Sequence, residues 1–206
     1  MYKMSLAAPP VLPVLALLAL LALLALLACA CTVPDGYTMT LTVDHDTCRV
    51  EYSGRFHCVV AAMMARDKGA ADAHVRNEAM AAMKEFEAAV LRLGGRVETR
   101  YVSGDTFEAD FSLTADLGES RQVDVLDMIL LGRTPSGTVT VRGVTVSDAD
   151  RKNLAGLAVE SRGELRVKAR GEVLGDNAQD KPGMLSNFYS WKLDIRKDTP
   201  VFIEIK

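Results

Sequence analysis

The sequence contains few of the residues from which catalytic and metal sites are usually built. Its 206 residues include three histidines and four cysteines. It has no His-Glu-x-x-His, no Cys-x-x-Cys and no Gly-x-Ser-x-Gly pattern. His45 falls in a predicted turn, His57 on a polar strand face and His74 near a predicted helix start. We therefore predict no metal, no cofactor and no enzymatic activity; a hydrolase site assembled from distant residues is the least favoured hypothesis.

An excess of positive charge is also lacking. The chain has 27 acidic against 24 basic side chains, a formal net charge of −3. Nucleic-acid-binding proteins need a concentrated basic face, so the charge balance argues against a nucleic-acid partner. A second long apolar run is missing as well, so nothing after residue 31 is predicted to cross a membrane.

One long apolar stretch is present, and it lies near the N-terminus. Residues 14–30 contain no charged or polar side chain other than the thiol of Cys29, and Lys3 precedes them. Seventeen helical residues extend about 26 Å, which is short for a membrane span. A basic start, an apolar middle and small residues at the end are typical of a secretory signal. An uncleaved signal anchor is the alternative, and both place the rest of the chain outside the cytoplasm.

The end of this stretch predicts a lipid attachment site. Leu26-Leu27-Ala28-Cys29 resembles the bacterial lipobox, in which a signal peptidase cuts before a cysteine that carries lipid. We predict a signal peptide over 1–28, acylation of Cys29 and a tether over 29–37. Cys31 is the alternative acylation site, and cutting there would leave no odd thiol in the mature chain.

The remaining residues, 38–206, predict a single α+β domain with a mostly antiparallel sheet, one long packed helix and one or two shorter helices. A sub-boundary near 133–137 is considered. Alternating apolar and polar residues predict the strands, and apolar residues three and four apart predict the helices. Strands are expected over 38–43, 48–52, 55–58, 97–101, 107–113, 139–146 (with a bulge at 142–143), 165–169, 189–195 and 201–205, and helices over 71–93, 119–131 and 148–157.

A hairpin around Ser53 and Gly54 predicts a disulfide. With Gly54 left-handed in a three-residue loop, Glu51 faces Arg55 and Cys48 faces Cys58. An oxidising compartment would then let the two cysteines form a bridge worth roughly 2–3 kcal/mol. Two reduced, buried thiols are the alternative for a cytosolic domain.

The inward faces of the predicted elements carry methionine and aromatic side chains that could line a pocket for a flexible apolar ligand. Core packing is the alternative, and it is the more common role of such residues. The candidate ligand-binding residues are Met83, Phe86, Phe107, Phe111 and Trp191. Trp191, the only tryptophan, is expected in the core with its indole N–H hydrogen-bonded.

The last third of the chain carries a short motif set: Gly171-Glu172-Val173-Leu174, Asn177-Ala178 and Tyr189-Ser190-Trp191-Lys192-Leu193. Together with the lipobox and the Thr-Val strand after it, this set resembles the LppM-like bacterial lipoprotein domain. The resemblance implies a β-rich surface domain with packed helices that binds lipid. The chain departs from that family in lacking a C-terminal transmembrane segment and in having a cysteine pair.

Two functions are thus expected. The first is a membrane-anchored, non-catalytic envelope lipoprotein that binds lipid or another hydrophobic ligand. The second is a scaffold or assembly factor that presents a strand edge or a loop to other envelope proteins.

Overall fold

The computed structural model describes residues 32–67, 71–118, 122–144, 146–157, 159–184, 186–194, 197 and 199–206. The predicted signal peptide, Cys29 and Cys31 lie outside these residues. The described part contains three helices: α1 (Val59–Arg66), α2 (Asp72–Arg92) and α3 (Asp148–Gly156). Its eleven strands are β1 (Thr32–Val43), β2 (Thr47–Cys58), β3 (Arg96–Ser103), β4 (Thr106–Asp116), β5 (Gln122–Val125), β6 (Ile129–Arg133), β7 (Val139–Gly143), β8 (Arg162–Ala169), β9 (Val173–Asp176), β10 (Tyr189–Asp194) and β11 (Phe202–Ile205).

The strands form two sheets. The first sheet has the order β10-β8-β1-β2-β4-β3, in which β1 and β8 run parallel and the other neighbours are antiparallel. The second sheet has the order β5-β6-β7-β11-β9 and is antiparallel throughout. The predicted α+β class is confirmed.

One large hydrophobic cluster joins the two sheets. Leu41 of β1 and Trp191 of β10 belong to the same buried cluster as Val141 of β7 and Ile203 of β11. The long helix α2 adds Phe86 and Val90 to this cluster, as its apolar spacing predicted. The opposite face of the first sheet carries mainly charged and polar side chains, so only one face of this sheet is buried.

The predicted hairpin at Ser53-Gly54 is wrong. β2 continues without a turn from Thr47 to Cys58, and Gly54 keeps extended geometry rather than the left-handed conformation that the turn required. Residues 50, 52, 54, 56 and 58 share one parity, which is the pattern of a single strand. β2 pairs instead with β1 and β4 along its length.

The Cys48–Cys58 disulfide is consequently wrong as well. Cys48 lies opposite Val43 and Cys58 opposite Thr32, at the two ends of the same strand pair. Ten residues of strand separate the two Cα atoms by roughly 33 Å, whereas a disulfide requires about 4.4–6.8 Å. Cys48 and Cys58 are not bridged, and both are buried. Burial raises the pKa of the Cys48 thiol to about 12, so this thiol stays protonated at neutral pH.

Two further expectations are wrong in the second sheet. Of the predicted helix over 119–131, the described residues 122–131 belong instead to the β5–β6 hairpin, whose turn has positive φ at Leu126 and Asp127. The predicted bulge at 142–143 does not bring four valines to one face, because β7 ends at Gly143 and Val144 is exposed.

The predicted domain limits also change. Residues 32–37, expected in a tether, form the first half of β1, and Val33 and Tyr37 are buried there. Residues 133–137 lie at the connection between β6 and β7, two adjacent strands of one sheet, rather than between separate units. By contrast, the predicted start of the helix at residue 148 is confirmed, since Ser147 is the N-cap of α3 and its Oγ accepts a hydrogen bond from the Asp150 amide at 3.1 Å.

Candidate functional site

A large open cavity lies at the end of the first sheet where β1 begins and β2 ends. Its volume is about 980 Å³, near the upper end of the roughly 300–1,000 Å³ typical of small-molecule sites. Residues from β1, β2, all three helices, the β5–β6 turn and the β10–β11 connection line it. The two sheets and the helices thus enclose the cavity together.

The floor of the cavity is aromatic. Tyr37, Phe56 and Phe86 line it, and each belongs to a larger cluster of rings. Tyr37 stacks on Tyr52 with ring centroids 5.5 Å apart, and Phe56 lies 4.5 Å from Phe86. Burial raises the pKa of the Tyr37 phenol above its ordinary value, so this ring is neutral at physiological pH. The floor therefore offers apolar contact without a formal charge.

Two glycines make room for Tyr37. A Cβ atom at Gly54 of β2 or at Gly163 of β8 would overlap Tyr37 of β1, which lies between these two strands. Gly54 thus serves close approach rather than chain reversal. The missing side chains let the Tyr37 ring reach the cavity floor.

A polar wall, formed largely by α3 and the segment after β10, also lines the cavity. Ser147, Asp150 and Asn153 of α3 and Lys197 line the cavity there. Arg66 of α1 donates a hydrogen bond to the carbonyl of Gly156 at the end of α3, which joins the two short helices beside the cavity. A cavity with both an aromatic floor and a polar wall suits an amphipathic ligand.

The five predicted ligand-binding residues are not equivalent. Phe86 lines the cavity, whereas Phe107 and Phe111 are buried beside it, with ring centroids 5.9 and 5.7 Å from Phe86. Met83 packs against the core. Trp191 is fully buried, and its Nε1 donates to Asn177 Oδ1 at 2.9 Å, so the expected core position and hydrogen bond are confirmed.

Most of the cavity lining was missed by the sequence analysis. The lining residues Met63, Met128, Leu154 and Val201 come from four separate segments. No spacing pattern links segments so far apart, and α1 itself was not predicted. The one available signal was that Tyr37 and Phe56 each fall on the alternating apolar positions of their strands. This signal can be interpreted only once the β1–β2 register is known.

A second polar cluster lies on the solvent side of the first sheet. His57 Nδ1 is 2.9 Å from Asp105 Oδ2, and its Nε2 is 3.7 Å from Asp35 Oδ2. The hydrogen bond with Asp105 is the largest influence on His57 and raises its pKa, against the opposing effect of burial. For Asp105, burial raises the pKa, but the hydrogen bond and charge of His57 outweigh it, and the pKa is lowered. The arrangement is a His–Asp pair in which each partner favours the charged form of the other.

Residues 44–46 form the predicted turn, in which the His45 amide donates to Asp44 Oδ1 at 2.8 Å. Among the described residues, no group of three or more histidine, cysteine or acidic side chains is placed to hold a metal ion. Within the same residues, no helix is both long and apolar enough to cross a membrane.

Two motif residues of the last third of the chain, Asn177 and Trp191, meet in space. Asn177 follows β9 of the second sheet, and its Oδ1 accepts from Trp191 of the first sheet and from the Phe202 amide at 2.9 Å. Its Nδ2 donates to the Pro200 carbonyl at 2.9 Å. One amide therefore links β9, β10 and β11 across the two sheets.

Comparison with known proteins adds no identification. A scan against models of protein families finds no match, and neither does a comparison with curated protein sequences. The resemblance to the LppM-like domain accordingly stays a prediction, and the function is inferred from the cavity and the sequence.

Proposed function

We propose that this protein is a bacterial envelope lipoprotein, held at the membrane by an acylated Cys29, that binds lipid or a similar amphiphile without chemical conversion. The observation that carries the proposal is the cavity, with its aromatic floor of Tyr37, Phe56 and Phe86 and its polar wall on α3. An acyl chain would contact the floor, and a polar head group would face α3 and Lys197.

The size and chemistry of the cavity favour an amphiphile over a small polar metabolite. A polar metabolite would leave its hydrogen-bonding groups without partners against the aromatic floor, which costs about 1–3 kcal/mol for each group. An apolar chain instead gains about 0.8 kcal/mol for each CH2 group that it buries. The cavity also needs no rearrangement to admit such a ligand, because it is already open.

A pair of tryptophan substitutions on α2 tests this proposal. Ala89 lines the cavity, whereas its neighbour Ala88 is exposed and does not. Ala89→Trp places an indole in the cavity, and Ala88→Trp adds the same side chain to the outer face of the same helix. Titration with a fluorescent fatty acid should show affinity reduced about tenfold, or about 1.4 kcal/mol, by Ala89→Trp. Ala88→Trp should bind like the unaltered protein.

Two outcomes would count against ligand binding. The fluorescent fatty acid could bind neither variant nor the unaltered protein, or Ala89→Trp and Ala88→Trp could bind it equally well. Circular dichroism of both variants ensures that the comparison is made between folded proteins. If the cavity binds nothing and crosslinking in cells captures a defined envelope protein, the scaffold function takes precedence.

The lipid anchor is tested separately. Intact mass spectrometry of the membrane-extracted protein should give a chain that begins at Cys29 and carries acyl groups. Cys29→Ser should abolish both the processing and the added mass, while Cys31→Ser should leave them unchanged. The opposite result would move the anchor to Cys31, and an unprocessed, unacylated chain would contradict the lipoprotein assignment.

A further inference from the structure

The first residue of β1 lines the cavity. Thr32 is paired with Cys58 in the sheet and, with Val33 and Pro34, lines the cavity. The apolar stretch ends at Ala30, two residues before Thr32, a reach of about 7 Å. The rigid sheet therefore begins directly after the segment that is expected to meet the membrane.

This short spacing holds for each form of membrane attachment under consideration. Acylation at Cys29 leaves at most three residues before Thr32, about 10 Å of extended chain, and acylation at Cys31 leaves one. An uncleaved anchor would end at the same place. In every case the end of the domain that carries the cavity stays within a short distance of the bilayer.

Two exposed apolar side chains, Met63 and Val144, lie beside the cavity. We define the rim as Thr32, Pro34, Met63, Val144 and Leu157, all of which line the cavity. Met63 is 58% exposed and Val144 is 38% exposed. Met63 belongs to α1 and Val144 directly follows β7, so the apolar surface is not confined to one element. Exposed apolar groups grouped beside an open cavity are a feature of surfaces that meet a partner or a membrane.

From these observations we infer that the rim docks on the lipid bilayer, with the cavity mouth facing the membrane surface. The inference rests on the membrane attachment in the proposed function and adds an orientation to it. A lipid would then pass between bilayer and cavity without crossing water. The charges that line the cavity nearly cancel, so the contact depends on apolar insertion rather than on attraction to anionic lipid. The charged lining residues are Asp127, Asp150, Asp194, Arg151 and Lys197.

The opposite end of the first sheet provides a control position. β1 runs from Thr32 to Val43, roughly 36 Å at the usual rise of a strand. The exposed His45 follows in the turn at that far end. A probe at His45 should therefore stay in water when the rim is in contact with lipid.

The test uses the full-length acylated protein in phosphatidylcholine vesicles. An environment-sensitive fluorophore is attached to Met63→Cys, to Val144→Cys as a second rim position, or to His45→Cys. All three variants are made with Cys31→Ser, because the Cys31 thiol would otherwise take the label. Cys48 and Cys58 are buried and do not compete for the label in the folded protein. Lipids brominated on their acyl chains should quench both rim probes more than the His45 probe, by on the order of twofold for groups that enter the head-group boundary.

Equal quenching at the rim and at His45, stronger quenching at His45, or no vesicle association would overturn the docking inference. Its failure is distinguishable from failure of the proposed ligand binding. Unquenched rim probes together with fatty-acid binding that Ala89→Trp reduces would leave the ligand site standing and remove the orientation. Quenched rim probes with no fatty-acid binding would support the orientation and remove the ligand site.

Discussion

Removing the Asn177 side chain should weaken the junction between the two sheets. In Asn177→Ala, the indole N–H of Trp191 loses its acceptor while the tryptophan remains fully buried. The Phe202 amide and the Pro200 carbonyl lose their partners as well, but at the protein surface. The buried indole donor therefore accounts for most of the expected cost.

The magnitude follows from the burial of these groups. A buried donor left without an acceptor costs about 1–3 kcal/mol. Asn177 is itself exposed, so water can partly replace its amide and the lower half of that range applies. With a smaller loss at the two surface groups, we expect the free energy of unfolding to fall by about 2 kcal/mol. For a domain of this size the change lowers the melting temperature by roughly 4–8 °C.

Chemical denaturation provides the assay, with Asn77→Ala as the matched control. Asn77 is exposed on α2, so its replacement by the better helix former alanine should not destabilise the protein. Trp191→Phe removes the indole donor, and a double-mutant cycle with Asn177→Ala should give a coupling energy of about 1 kcal/mol. The reasoning is refuted if Asn177→Ala is no more destabilising than Asn77→Ala, or if the two changes in the cycle are additive.

Three further predictions concern local structure. Ser147→Ala removes the N-cap of α3 and should lower stability by about 1 kcal/mol in urea unfolding; an unchanged midpoint would contradict the cap. Gly163→Ala should cost about 1–3 kcal/mol by overlap with Tyr37, while Gly183→Ala, with open space around its Cα, should cost much less. His57 has a raised pKa in the folded state. Its contribution to the free energy of unfolding is therefore complete below its ordinary pKa of 6.5 and is lost as the pH rises through the folded pKa. Unfolding measured from pH 6 upward should show that decline in stability, and His57→Gln should remove it. If the unaltered protein and His57→Gln give identical profiles of stability against pH, the pairing of His57 with Asp105 is excluded.

Local patterns predicted the elements whose sequence allows only one assignment. The helix over 71–93 and the β3–β4 hairpin follow from strong periodicity and from glycines at their ends. Gly94 and Gly104 both adopt the positive φ that such ends require. The Ser147 cap is also a local feature, because its partner, the Asp150 amide, lies only three residues away.

Other elements depended on contacts between distant residues. Ser53-Gly54 looks like a turn, but Gly54 is needed because a Cβ atom there would overlap Tyr37 of the neighbouring strand. The β5–β6 turn places Leu126 and Asp127 at φ 55°, and its usual glycine or asparagine is absent. The Asp127 amide donates to Asp124 Oδ1 at 2.8 Å, which supports that turn. These features appear only once the strands are paired.

The cavity was the least predictable feature. Phe86 could be assigned to an inward face of α2, but which inward residues meet open space depends on how the sheets and short helices pack. Trp191 illustrates the limit: its burial was predicted correctly, yet it fills the core instead of lining the cavity. Residue type and periodicity identify the core, whereas the shape of a void depends on the whole fold.

Native mass spectrometry of the full-length protein, extracted from its membrane in mild detergent, tests most directly whether the cavity holds a lipid. We expect a population with one bound lipid in addition to the covalent anchor, retained in Ala88→Trp and strongly reduced in Ala89→Trp. Recovery of ligand-free protein in every case, or of equal lipid occupancy in the two variants, would contradict a lipid-binding role for the cavity.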